Sequence, residues 1–207
     1  MMADSMIQLR RFVLVLVAAT TFSLSAAAQQ ARADTTEEFI AQLGDRALQV
    51  LVQGAQSEEQ RADAFRALLS DGFDLPLIGR YALGRFWRKA TPAQRSEYVK
   101  LFEDFIVTTY AARLGEYSGE TLQVVSSRAD DSDTIVVSEI VREGLQPIRV
   151  DWRVRNGDQG FKIVDVVVEG VSMLLTQRDE FASVIQRAGG DVEGLLNRLR
   201  EKNDAQN

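Results

Sequence analysis

The 207-residue chain carries 24 basic and 30 acidic residues, a net charge of −6, and neither histidine nor cysteine. It therefore has no histidine-based triad, no imidazole general base, no thiol nucleophile, no thiolate metal site and no disulfide. The acidic balance argues against nucleic acid, whose phosphates demand a basic surface.

The first elements read as an export signal. Arg10 and Arg11 form a short basic region, an apolar run follows from Phe12 to Leu24, and Ala26-Ala27-Ala28 precede Gln29. About 13 apolar residues are too few for a bilayer that needs roughly 20. Leu9 before the arginine pair and the absence of a following lysine favour general secretion over the twin-arginine route. Cleavage is expected after Ala28 or Ala33, so residues 1–33 form the signal and the mature chain is expected in the periplasm. No cysteine follows the apolar run, so the new N-terminus cannot be lipidated. Residues 1–33 hold Arg10, Arg11, Arg32 and Asp4, which leaves 21 basic and 29 acidic residues and a net charge near −8. Such a chain is not built for tight docking on anionic headgroups. With no repeat or Pro-rich linker, residues 34–200 read as one domain and 201–207 as a polar tail.

Helical patterns come first. Phe39, Ile40, Leu43, Ala47, Val50 and Leu51 recur on one face. Ser57-Glu-Glu-Gln60 is a capping box that opens a helix carrying Phe65, Leu68 and Leu69, and Gly72 ends it. Thr91-Pro92-Ala93-Gln94 repeats the cap with proline at the first helical position. The helix it starts places Tyr98, Leu101, Phe102, Phe105, Ile106, Thr109 and Tyr110 on one broad face, with Glu97, Lys100, Asp104 and Thr108 opposite.

After Gly115 and Gly119 the period becomes two. Strands are expected over 121–127, 134–142, 146–155 and 161–168, a four-stranded antiparallel meander. The third has Ile148, Val150, Trp152 and Val154 on one face and Arg149, Asp151, Arg153 and Arg155 on the other. Strict alternation in the fourth puts Asp165 beside Phe161, Ile163 and Val167. The chain ends in helices carrying Phe181, Val184, Ile185 and Ala188, then Leu195, Leu196 and Leu199, separated by Gly189-Gly190. The fold class is α+β: a curved antiparallel sheet of about four strands packed against helices, with an N-terminal helical part.

Three groups could carry chemistry. Asp165, an acid among apolar neighbours, could move protons with Tyr81 or Tyr110; the ordinary alternative is an ion pair with Arg80 or Arg85, or the outer face of the strand. Arg80, Arg85 and Arg88 could grip phosphate, or form a solvated face with acidic neighbours. Asp130, Asp131 and Asp133 could ligate calcium but lack the EF-hand loop pattern, so a solvated turn is the simpler reading. Gly79, Gly84 and Gly170 could yield space to a ligand or serve turns and close packing.

The stretch Asp74-Leu-Pro-Leu-Ile-Gly-Arg80-Tyr81-Ala-Leu-Gly84-Arg85-Phe86-Trp87-Arg88, followed by Thr91-Pro92-x-x-Arg95, the Tyr110 to Tyr117 region and Asp165-Val-Val-Val-Glu169-Gly170-Val171-Ser172-Met173, resembles the MlaC, or toluene-tolerance, family of periplasmic phospholipid-binding proteins. The resemblance runs from about Ala41 to Leu199 and departs at Met173, where leucine or valine is usual, and at Thr176-Gln177. It implies an NTF2-like arrangement and a lipid carrier, not an enzyme, with no cofactor. The implied ligand is a diacyl phospholipid. The implied partners are an inner-membrane ABC transporter complex with an MCE-domain protein and an outer-membrane lipoprotein-porin complex, acting to maintain outer-membrane lipid asymmetry. On that implication the candidates lining an acyl pocket are Leu77, Tyr81, Phe102, Phe105, Ile106 and Tyr110 from the helices, and Val150, Trp152, Val154, Val166, Val168 and Met173 from the sheet and its exit. The rival readings are a small-pocket NTF2-like enzyme using Asp165 and a ligand-free periplasmic adaptor.

Overall fold

A computed structural model describes residues 35–52, 57–111 and 119–204. The export signal, Gly115 and Tyr117 lie outside the described residues. Helix α1 spans Thr36–Val52, and Thr35 caps it: the Glu38 N–H donates to Thr35 Oγ1 at 3.1 Å and the Thr35 N–H to Glu38 Oε2 at 3.3 Å. The capping box expected at Ser57 opens α2, Glu58–Gly72, with both reciprocal bonds present. Helix α3, Leu75–Leu83, starts at Asp74 and gives way at Gly84 to a 3₁₀ turn, Gly84–Arg88. The second expected box, at Thr91 and Gln94, opens α4, Pro92–Ala111. In each box a short polar side chain satisfies an N–H that has no partner inside the helix.

Five antiparallel strands follow in the order β1-β2-β3-β4-β5: Thr121–Asp130, Asp133–Val141, Ile148–Gly157, Gly160–Val168 and the two-residue Val171–Ser172. The fifth is one more than the sequence pattern gives, because two residues show no periodicity. Helices α5, Met173–Arg187, and α6, Val192–Asp204, close the chain; α6 runs four residues into the stretch read as a polar tail.

The pairing corrects one sequence expectation. Arg153 faces Asp165 across the β3–β4 ladder while Val154 faces Ile163, so Val164 is an inserted bulge residue. The bulge reverses the alternation beyond it. Asp165 and Val167 share the face of Arg153 and Asp151, whereas Val166 and Val168 join Trp152, Val150 and Ile163 on the other. A second irregularity in β1, between Val124 and Ser126, turns Val125 outward, where it is 58% exposed.

Among the described residues the apolar interior has three connected parts. Residues of α3, the 3₁₀ turn, α4, α5 and α6 form a helical core around Tyr98, Phe102, Phe105 and Phe181, whose ring centroids lie 5.8–6.2 Å apart. Ile40 and Leu43 of α1 pack on Val136, Val154 and Ile163 of the inner sheet face. Leu69, Leu75 and Val107 lie between, bridged by Phe73, Ile78 and Ile106. Helix α4 is thus enclosed on more than one side: Val107 is buried as fully as Phe102, and two of the polar residues expected opposite, Asp104 and Glu97, pair with Arg66 of α2 and Arg200 of α6.

On the outer face Asp133, whose side chain is 5% exposed, accepts from Arg155 Nε at 2.7 Å and Nη2 at 2.9 Å and from Arg153 Nη1 at 3.3 Å. Arg153 also holds Asp130 at 2.6 Å. The Arg155 hydrogen bond, above all, holds the Asp133 carboxyl below the usual carboxylate range. A lowered folded-state pKa stabilises the fold above the unfolded carboxyl's value of about 3.9, and that contribution is lost as pH falls through the folded value. Asp133→Asn should cost about 2 kcal/mol at pH 7, since both guanidinium groups stay partly hydrated. Urea midpoints from pH 7 down to about 3 should show a flatter acid limb in the variant. Parallel limbs would remove Asp133 from the acid transition.

Candidate functional site

The first signature motif is used up largely by packing. Asp74 caps α3, its Oδ1 accepting the Leu77 N–H at 3.0 Å, and its own N–H donates to Ile163 O at 3.0 Å, tying the helix start to β4. Gly79 lets α3 meet α4: a Cβ there would lie 3.0 Å from Phe102 Cδ1, and its carbonyl accepts the Tyr98 hydroxyl at 3.0 Å. Burial raises the Tyr98 phenol well above its ordinary value, which suits a structural donor and not a proton carrier. Gly84, at φ +57°, ends the helix.

The second motif is a corner. Asp165 Oδ1 accepts the Val166 N–H at 2.8 Å and the Leu174 N–H at 3.1 Å, and Oδ2 accepts the Ser172 hydroxyl at 2.7 Å. Ser172 in turn caps α5 through the Leu175 N–H at 3.1 Å. Glu169 and Gly170, both at positive φ, turn β4 into β5, and Glu169 Oε1 accepts the Arg149 N–H at 2.5 Å. Asp165 therefore joins sheet to helix. It is paired with neither Tyr81 nor Tyr110, and with neither Arg80 nor Arg85, so both specific sequence readings of this residue are corrected.

The lining candidates separate into groups. Val150, Trp152 and Val154 share the inner sheet face with Val166 and Val168, which the Val164 bulge brings there. Val154 is sealed beneath α1, and Val150 is buried; Trp152, Val166 and Val168 are half-buried. Ile106, Tyr110, Leu77 and Met173 are half-buried as well, at the ends or flanks of their helices. Phe102 and Phe105 do not join them, because they pack against Phe181 in the helical core, the first edge-to-face and the second tilted. Tyr81 departs too: it is 49% exposed and interacts with Arg155, which stands on the outer face of β3.

Ser138 escaped the sequence reading. It is fully buried on the inner face, donates to Val150 O at 3.1 Å and accepts Trp152 Nε1 at 2.8 Å. The indole's one polar group is thereby satisfied inside the protein, and its ring offers hydrocarbon alone. A serine alternating with Thr134, Val136 and Ile140 was the available signal.

A groove of about 550 Å³ also opens along α5 and α6, floored by Phe105, Phe181, Leu195 and Leu199 and rimmed by Glu180, Arg187, Arg198 and Lys202. It draws no residue from the sheet. Among the described residues no cluster of carboxylates could hold a metal ion; Asp130 and Asp133 are engaged by arginines, and Asp131 occupies a turn at φ +53°. Arg80, Arg85 and Arg88 are exposed, with no ion pair among the described residues.

This arrangement has counterparts. A model of the MlaC family, described as MlaC protein, matches residues 41–201. The chain belongs to the MlaC family. The two motifs thus pointed to the right family, and within it the chain is similar to curated and solved proteins. It is 25% identical to the intermembrane phospholipid transport system binding protein MlaC of Haemophilus influenzae over 95% of each chain. It is 27% identical to the toluene tolerance protein ttg2D of Pseudomonas putida over 91% of this chain and 87% of that one. A solved phospholipid-binding protein from Ralstonia solanacearum, in complex with a phospholipid, superposes with a TM-score of 0.74 at 27% identity, covering 82% of this chain and 97% of that one. Among the described residues no helix is long and apolar enough to cross a membrane.

Asp165→Ala should cost about 2 kcal/mol, since it strips acceptors from two backbone N–H groups and the α5 cap. Asp165→Asn, whose amide oxygen can still accept an N–H, should melt closer to wild type. Thermal melting of both variants checks the order, and an Asn variant as destabilised as the Ala variant would tie the corner to the charge itself.

Proposed function

We propose that the mature chain is a periplasmic phospholipid carrier that shelters acyl tails against the inner sheet face and moves lipid between an inner-membrane ABC transporter complex with an MCE-domain protein and an outer-membrane lipoprotein-porin complex, maintaining outer-membrane lipid asymmetry. The observation that carries this reading is the likeness, over nearly the whole of the other chain, to a protein solved with a phospholipid. The half-buried set of Trp152, Val166, Val168, Ile106, Tyr110, Leu77 and Met173 supplies apolar surface suited to tails. Phe102, Phe105 and Tyr81 are left out of it for the reasons given above.

No covalent step is needed. Hydrating each CH₂ costs about 0.8 kcal/mol, so two C16 tails represent on the order of 20 kcal/mol that free lipid would pay to cross water. A bilayer shields tails as well as a protein does, so net transfer depends on partners that open the carrier or supply energy. Enzymatic use of Asp165 has little support in the site, because its oxygens are occupied by the α5 corner.

Native mass spectrometry of the mature protein, purified from periplasm without detergent, should reveal a stoichiometric phospholipid adduct. A clean apo mass, persisting after incubation with phospholipid vesicles and both membrane complexes, would sink the carrier reading. Trp152→Arg and Val166→Arg, placing a cation among the tails, should lower the adduct at least tenfold while the protein still melts cooperatively. Trp152→Phe should retain it. Folded arginine variants with full loading would move the tails to another face. Val150→Arg is a poorer test because Val150 is only 1% exposed and the substitution threatens the fold itself.

A further inference from the structure

We infer that the arginines gathered where α3 meets the 3₁₀ turn and α5 form a docking surface for a carboxylate-rich face of a protein partner. The inference rests on the carrier reading, which requires the molecule to leave one complex and recognise another.

Between Asp74 and Glu97 the chain places Arg80, Arg85, Arg88, Lys89 and Arg95 and no acidic residue, although it is acidic as a whole. The fold concentrates them. In the 3₁₀ turn residues three apart eclipse one another, so Arg85 and Arg88 stand on one side. The Arg85 guanidinium and the Lys89 ammonium lie 5.0 and 5.5 Å from the centroid of the Phe86 ring. Arg178 reaches in from α5: its Cδ lies 3.2 Å from where a Cβ on Gly84 would stand. Two exposed apolar side chains flank the group, Tyr81 on α3 and, three residues before Arg178, Leu175 on α5.

Several other guanidinium groups are spent on carboxylates, although Arg142 and Arg187 make no ion pair among the described residues and Arg95 bonds the Trp87 and Arg88 carbonyls. Arg46, Arg66, Arg149, Arg153, Arg155 and Arg200 all make ion pairs of 3.3 Å or less. Arg80, Arg85, Arg88 and Arg178 make none among the described residues, and all four are exposed. Unpaired guanidinium forks beside an exposed tyrosine match what protein interfaces enrich, and each fork fits a carboxylate with two parallel bonds.

A protein face suits this patch better than a bilayer. An anionic bilayer extends past the patch on every side and, within a Debye length of about 8 Å, repels the acidic remainder of the molecule, whereas a protein face can confine its carboxylates to the area the basic spot covers.

The test measures the affinity of the mature protein, as purified, for each purified membrane complex in nanodiscs, at low and physiological salt. Its cosedimentation with vesicles of phosphatidylethanolamine and phosphatidylglycerol is measured alongside. Arg85→Glu with Arg178→Glu should weaken binding to at least one complex tenfold or more and flatten the salt dependence, with melting and the native-mass lipid adduct unchanged. Arg80→Glu with Arg88→Glu, which leaves the Gly84 contact alone, should do the same. Unaltered affinity for both complexes in both folded double variants overturns the proposal, as does a loss confined to vesicle binding. A wild-type protein that carries no lipid defeats the carrier reading alone, because the docking comparison is still read.

Discussion

At the corner between sheet and helices, the carboxylate of Asp165 accepts from the Val166 N–H, the Leu174 N–H and the Ser172 hydroxyl. Much of the architecture hangs on that one group. It lies just after the Val164 bulge, so its side chain stands off the apolar face and can reach the start of α5. Had the strand kept its alternation, the charge would face Trp152 and Val166 would face solvent, since a slip of one residue exchanges the two faces. The bulge and the carboxylate therefore act together: one turns the polar group outward, and the other uses it to fix the helix that follows.

The fixed helix carries Phe181 and Ile185 into the ring cluster of α4, so the corner also sets where the helical core closes. That core is filled, with Tyr98, Phe102 and Phe105 each under 7% exposed. The inner sheet face is finished differently. Its Val136, Val154 and Ile163 are sealed by α1, while Trp152, Val166 and Val168 are left half-covered. A protein interior is close-packed wherever it can be, so unequal closure of one continuous apolar surface marks where packing stops. Ser138 fits the same pattern, satisfying the indole N–H from beneath and leaving no polar group on the half-covered side.

What could be read in the sequence was what is local. The capping boxes at Ser57 and Thr91 need four consecutive residues, and the inner face of β3 needs only alternation, so both were legible. The bulge was not, because Val164 and its neighbours are all compatible with an unbroken strand. Phe102 and Phe105 lie on an apolar helix face whichever partner covers it; only the approach of Phe181, 76 residues or more along the chain, decides that they belong to a core. Tyr81 shares a helix side with Leu77 by spacing, but its contact with Arg155 comes from the sheet's outer face. The arginines of the first motif were visible as charge. Whether acidic neighbours answered them could be seen only in three dimensions.

If the chain works as the proposed carrier, that distinction bears on how it can be both stable and responsive. Its paired charges, such as Asp133 with Arg153 and Arg155, lock β2 to β3 and leave nothing for a visitor. Its unpaired ones sit beside Gly84, where α3 ends, and on α5 at Arg178, two turns or less from the Ser172 cap. A partner engaging Arg178 bears on the helix whose first turn is tied through Asp165 to β4, and β4 supplies Val166 and Val168 to the half-covered face. On the reading proposed above, docking and lipid shelter would share a continuous mechanical path while using separate residues. A surface contact worth a few kcal/mol can bias a partly closed apolar face, whereas it could not pull apart the filled helical core beside it.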